Sequence, residues 1–126
     1  MTKHLTWTVA LIAVVTFGIA TPAWAHHSHA MFDFNKETTI SGTVSQFVFR
    51  NPHVYLYIDV KDDKGDSARY TIEMSNLTNT IDRGIGQTTF KPGDAVTIKV
   101  NPMKDGSTGG LFVGAKLTDG KTLGNW

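Results

Sequence analysis

Beyond residue 38 the chain alternates short β-rich runs with turn chemistry. Val54, Leu56, Ile58 and Val60 recur at every second position opposite Tyr55, Tyr57, Asp59 and Lys61, the spacing of a strand with one buried face. The polar cluster Asp62-Asp63-Lys64-Gly65-Asp66 reverses the chain, and Tyr70, Ile72 and Met74 continue the alternation on an antiparallel partner. An earlier strand starts near Thr39. Ile40, Gly42 and Val44 share one parity there while Phe47 and Phe49 take the other, which predicts a bulge or bend that switches the buried face, with Gly42 as a residue able to occupy it.

After Ser75-Asn76, a pair suited to helix capping, Leu77, Ile81 and Ile85 recur every four residues until Gly84 and Gly86 break the pattern, so one short helix is expected. Lys91-Pro92-Gly93-Asp94 is a turn that launches Val96, Ile98 and Val100. Asp105-Gly106 and Gly109-Gly110 then connect to Leu111, Val113, Ala115 and Leu117 before Asp119-Gly120 turns the chain once more. Five strands with a helix between the third and fourth predict a mainly all-β fold. The matching architecture is the five-stranded, partly open Greek-key barrel of the oligonucleotide/oligosaccharide-binding (OB) type. An immunoglobulin-like sandwich fits less well because it calls for about seven strands.

The first 25 residues follow other rules. Lys3 gives a positive start, the 16 residues from Leu5 to Ala20 carry no charge, and Ala23-Trp24-Ala25 puts small residues where a signal peptidase reads them. That run is short of the roughly 20 apolar residues a membrane-spanning helix needs, so cleavage after Ala25 is expected rather than a stable membrane span. The expected organisation is a signal peptide at 1–25, a His-rich segment at 26–38 and the barrel at 39–126, in a periplasmic or secreted protein. Cleavage removes one of 12 basic side chains, leaving 11 against 11 acidic ones. A balance so even argues against nucleic acid as a partner, since neutralising phosphates takes an excess of Lys and Arg. With no cysteine anywhere, a packed core must hold the domain without disulfides.

Processing also changes the chemistry, because four histidines remain and three of them, His26, His27 and His29, fall within the first four residues. A free α-amine, with a pKa of about 7.7–8.0, can be deprotonated by a metal at neutral pH. Amine and Nδ1 of His26 then close a six-membered chelate ring, and a remote imidazole can complete a T-shaped set of three nitrogens suited to copper. His53 is the expected remote partner: it follows Asn51-Pro52 at the rim of the second strand and shares the parity of Tyr55 and Tyr57. His27, through the amine and the intervening amide, or His29 can take its place, and spacing leaves that choice open. Met31 and Asp33 have the chemistry of supplementary donors, but packing for Met31 and solvation for Asp33 are the preferred expectations. Copper is the expected ion, with zinc or another divalent transition metal as the alternatives.

The leader ending followed by His26-His27-Ser28-His29-Ala30-Met31-Phe32-Asp33, then Gly42-Thr43-Val44, Asn51-Pro52-His53-Val54 and Lys91-Pro92-Gly93-Asp94, resembles a family of small uncharacterised exported bacterial proteins over nearly all of the processed chain. The resemblance implies bacterial export and no particular activity. It also places an aromatic residue such as Phe where His29 stands, which makes His29 the less secure ligand.

Other chemistry is sparse. There is no Gly-x-Ser-x-Gly and no cysteine nucleophile, and Glu73 has no legible partner, so hydrolysis is a poor fit. Copper on an amino-terminal histidine can activate oxygen when a coordination position stays open, yet capture or transfer of the ion is the more modest expectation. The competing class is a non-catalytic barrel that binds a sugar or another small molecule on Tyr55 and Tyr57, with Phe47 and Phe49 extending the surface if they are exposed; a protein partner is a further alternative with no site assigned. Against it, cross-strand packing on Arg69 or Thr71 is the favoured role of the two tyrosines.

Overall fold

The computed structural model describes residues 29–126. The leader, His26, His27 and Ser28 lie outside the described residues. A single 3₁₀ turn at His29–Met31 precedes β1 (Thr38–Val48), β2 (Tyr55–Lys61), β3 (Ser67–Glu73), α1 (Leu77–Asp82), β4 (Ala95–Pro102), β5 (Gly109–Leu117) and β6 (Thr122–Gly124). Strands pair in the order β3-β2-β1-β4-β5-β6, and a parallel contact of β3 with β5 joins the two sides. The first five strands thus close into an OB-like barrel with its helix between the third and fourth, as the element order predicts. β6 is an addition: the Asp119-Gly120 reversal sends three residues back along β5 as a short edge strand.

The alternation on β2 sets the core. Val54, Leu56 and Ile58 are fully buried and meet Ile72, Met74, Val96, Ile98 and Val100. Side chains of this size contribute roughly 1.5–3 kcal/mol each when buried. The parity change in β1 is a real bulge, because pairing with β2 skips Ser45 between Val44 opposite Ile58 and Gln46 opposite Tyr57. Phe47 and Phe49 are thereby turned onto the core edge, and Phe47 meets Phe90 edge-on at 5.2 Å. Gly42 is not the bend. It pairs regularly with Val96, and a Cβ there would stand 2.6 Å from the Asp59 carbonyl oxygen, so the close approach of β2 selects glycine.

Two further expectations need correction. In β5 the buried residue is Phe112, while Leu111 and Val113 are only half-buried; a bulge opposite Lys99 and Val100 then shifts the parity, so Ala115 faces the core. In α1 the four-residue spacing misleads. The helix ends at Asp82, Ile81 is 54% exposed, and Thr80 is the buried side chain, its hydroxyl donating to the Ser75 carbonyl. Ile85 reaches the core from beyond the helix end. The cap itself is as expected, with the Asn76 side chain accepting from the Asn79 N–H at 2.9 Å.

The His-rich segment joins the barrel through Met31 to Asp33. Phe32 is buried and forms an antiparallel bridge with Met103; on either side the Asp33 N–H donates to the Pro102 carbonyl and the Lys104 N–H to the Met31 carbonyl. These bonds extend the end of β4 by one partner. No helix among the described residues is long and apolar enough to cross a membrane.

Candidate functional site

The hairpin of β2 and β3 builds the site. Its register sets Tyr55 opposite Glu73, Tyr57 opposite Thr71 and Asp59 opposite Arg69. The ladder continues past the strand ends, since the Met74 N–H donates to the Val54 carbonyl and the Val54 N–H to the Ser75 carbonyl. His53 stands one residue further, on the Tyr55 face and diagonal to Glu73. Asn51 holds this corner: its side-chain oxygen accepts the Leu77 N–H at 3.0 Å, tying the approach of β2 to the start of α1.

Glu73 is not an isolated acid. Its Oε1 lies 3.1 Å from His53 Nδ1, with 13% of the glutamate side chain and 32% of the imidazole exposed. In a neutral imidazole with its proton on Nδ1, that N–H would face the carboxylate and the Nε2 lone pair would be free. Counting outward from the Asp62–Asp66 turn along both strands would have set Glu73 opposite Tyr55.

Tyr55 borders the pair, with its ring edge-on to His53 at 6.4 Å. Burial raises its phenol above the ordinary value, and the charge of Glu73 followed by Tyr57 pushes the same way. A neutral phenol is therefore the state this corner favours. Tyr55 and Tyr57 sit 6.4 Å apart, tilted by 31°, and both are half-buried. The expected packing of the tyrosines on Arg69 is replaced in part, because Arg69 forks onto Asp59 through bonds of 2.8 and 3.1 Å. That contact lowers the Asp59 carboxyl below its usual range. Phe47 and Phe49 pack against the core and do not extend a stacking surface with the tyrosines.

Beside Glu73 lies a cavity of about 220 Å³, lined by Met31, Phe32, Tyr55, Glu73, Met103 and the Ser107–Gly109 turn among others. It sits where β3 meets β5 and where the His-rich segment docks. His29 is exposed, stacks on Phe34 at 6.4 Å and makes no described contact with His53. Asp33 is occupied locally: Asn35 N–H donates to Oδ1 at 3.1 Å, and Lys36 Nζ lies 3.3 Å from Oδ2. These two contacts, the backbone donor first, hold its carboxyl below the usual range. His26 and His27 lie outside the described residues, and among the described residues no group of three His, Cys, Asp or Glu side chains is placed to hold a metal.

Comparison with known proteins adds the fold and the family. The sequence pattern of a family of unknown function, DUF6152, matches residues 13–113. No curated protein matches the chain. Among solved structures it is similar to the mitochondrial single-stranded DNA binding protein Rim1 of S. cerevisiae, with a TM-score of 0.51 and 13% identity, over 66% of this chain and 93% of that one. At that identity the likeness is one of fold alone.

Proposed function

For a chain that belongs to the DUF6152 family of unknown function, we propose export, cleavage after Ala25, and capture or transfer of a transition metal, copper foremost, by the new amino terminus together with His53. The observation that carries this reading is the His53–Glu73 contact at 3.1 Å. A histidine whose second nitrogen is held by a carboxylate is the arrangement used to fix the tautomer and raise the basicity of a metal ligand.

Chain length supports the pairing. Met31 lines the cavity that Glu73 also lines. Three Cα steps from His26 to His29 reach at most about 11 Å when extended, and the 3₁₀ turn His29–Met31 adds about 4 Å. His26 would supply amine and Nδ1, and His53 would supply Nε2. Three nitrogens of this kind suit Cu(II), which also heads the divalent affinity series, ahead of zinc. The role is carriage of an ion; no substrate-activating step is assigned.

A second reading rests on Tyr55 and Tyr57, whose tilted rings offer an apolar face for a sugar or another planar ligand. The fold neighbour's name speaks of single-stranded DNA. The even charge of this chain, 12 basic against 11 acidic side chains, does not favour that ligand here.

Cu(II) titration distinguishes these readings. Protein beginning at His26 is compared with a version carrying one extra residue before it and with His53→Ala. Tight binding only in the first supports the ligand set. Equal affinity in protein with and without the extra residue rejects it. Mass spectrometry of the naturally exported protein must show His26 as its first residue.

A further inference from the structure

Of the four methionines, Met74 is buried in the core and Met1 begins the leader; the other two, Met31 and Met103, both line the cavity beside Glu73. They arrive from distant parts of the sequence, brought together because Phe32 bridges Met103 while the Met31 carbonyl accepts the Lys104 N–H. Neither is buried. Methionine is a common filler of irregular gaps. Here, however, the two residues border about 220 Å³ of open space.

We propose that this cavity is a thioether site for Cu(I), held by the sulfurs of Met31 and Met103. Three features favour a soft monovalent cation over other small ligands. Thioether is a soft donor that selects Cu(I) over harder divalent ions. The Glu73 carboxylate on the cavity wall supplies one negative charge to balance one positive charge. Phe32 and Tyr55 on the same wall keep the surroundings apolar, which suits an ion of low charge. The site takes copper already reduced, so it needs no electron donor.

This inference shares its cargo with the reading above but none of its ligands. Neither the amine nor His26 is required, and each can fail alone. Together they describe a protein that holds both oxidation states of one metal at neighbouring positions.

The test loads protein with Cu(I) under anaerobic reducing conditions against a chromophoric Cu(I) chelator, and repeats the measurement with Met31→Leu, Met103→Leu and the double variant. Leucine conserves volume and apolar character, and circular dichroism checks each fold. The double variant is expected to weaken Cu(I) binding by about tenfold or more. X-ray absorption on the unaltered Cu(I) protein supplies an independent readout, because in a chain without cysteine any sulfur bonded to copper comes from methionine. Sulfur bonded to the metal is the expected result. Only nitrogen and oxygen neighbours, no measurable Cu(I) binding, or a double variant that binds as the unaltered protein does, overturns the proposal. Loss of Cu(II) binding on adding one residue before His26, with Cu(I) binding intact, separates the two sites.

Discussion

Replacing Glu73 isolates the contribution of the carboxylate that holds His53. Glu73→Gln keeps an oxygen near the place of Oε1, now 3.1 Å from Nδ1, so the ring retains an acceptor and loses only the charge. Glu73→Ala removes both and leaves the imidazole free to turn or change tautomer. Partners of metal-bound histidines typically contribute 10–100-fold in affinity, which is about 1.4–2.7 kcal/mol. The glutamine is expected near the lower end and the alanine near the upper. The assay is competitive Cu(II) titration of protein beginning at His26, with nitrogen NMR of the His53 ring as a second readout. The Nδ1–H tautomer should dominate in the metal-free protein and lose that dominance in Glu73→Ala. If His53→Ala weakens binding while both Glu73 variants stay within about twofold, the carboxylate plays no part and the reasoning from tautomer to affinity is refuted.

Two further outcomes concern the frame. A Cβ at Gly109 would stand 2.6 Å from the Thr71 carbonyl oxygen, where backbone meets backbone at the β3–β5 contact. Gly109→Ala should therefore cost about 2–3 kcal/mol in urea unfolding, whereas Gly86→Ala, which meets only Thr89 Oγ1 at 4.0 Å, should stay within about 0.5 kcal/mol. Equal midpoints for the two would contradict the packing of that contact. Asp33 carries a pH dependence: its folded carboxyl is lowered by the Asn35 N–H and by Lys36. The stability it contributes is present above the ordinary carboxylate range and is lost as pH falls through the lowered folded value. Asp33→Asn should be the less stable protein near pH 7, with the difference from the unaltered protein narrowing on acidification; a difference that is constant down to pH 2 would remove the charge argument.

Much of the barrel was legible because one buried face per strand leaves a period of two. Even the bulge at Ser45 was marked, by the switch from Val44 to Phe47. The same rule failed in β5, where glycines at 109, 110 and 114 carry no side chain to report a face and the bulge at Val113 hides the inversion. It failed in α1 because six residues are too few for a four-residue period to mean a stripe. His53 was legible as a rigid position at a strand rim, but its carboxylate partner required pairing two strands residue by residue. Met103 was out of reach, since only the folded chain brings the His-rich segment beside the end of β4.

The parallel contact of β3 with β5 is three residue pairs long, Thr71–Gly109 through Glu73–Leu111, and joins strands far apart in the sequence. Such a short nonlocal seam is the natural first place for the barrel to breathe. Thr71 and Glu73 on one side, with Thr108 and Gly109 on the other, also wall the methionine cavity. The proposed ligands, Met31 and Met103, stand beside this seam on the amino-terminal segment and just past β4, so an ion lodged there would pin those two segments together, and amide exchange at Asp33 and Lys104, which bond Pro102 and Met31, should slow on loading. Release of such an ion would then be a matter of peeling the amino-terminal segment from the end of β4, a step that a delivery partner could promote by gripping that segment.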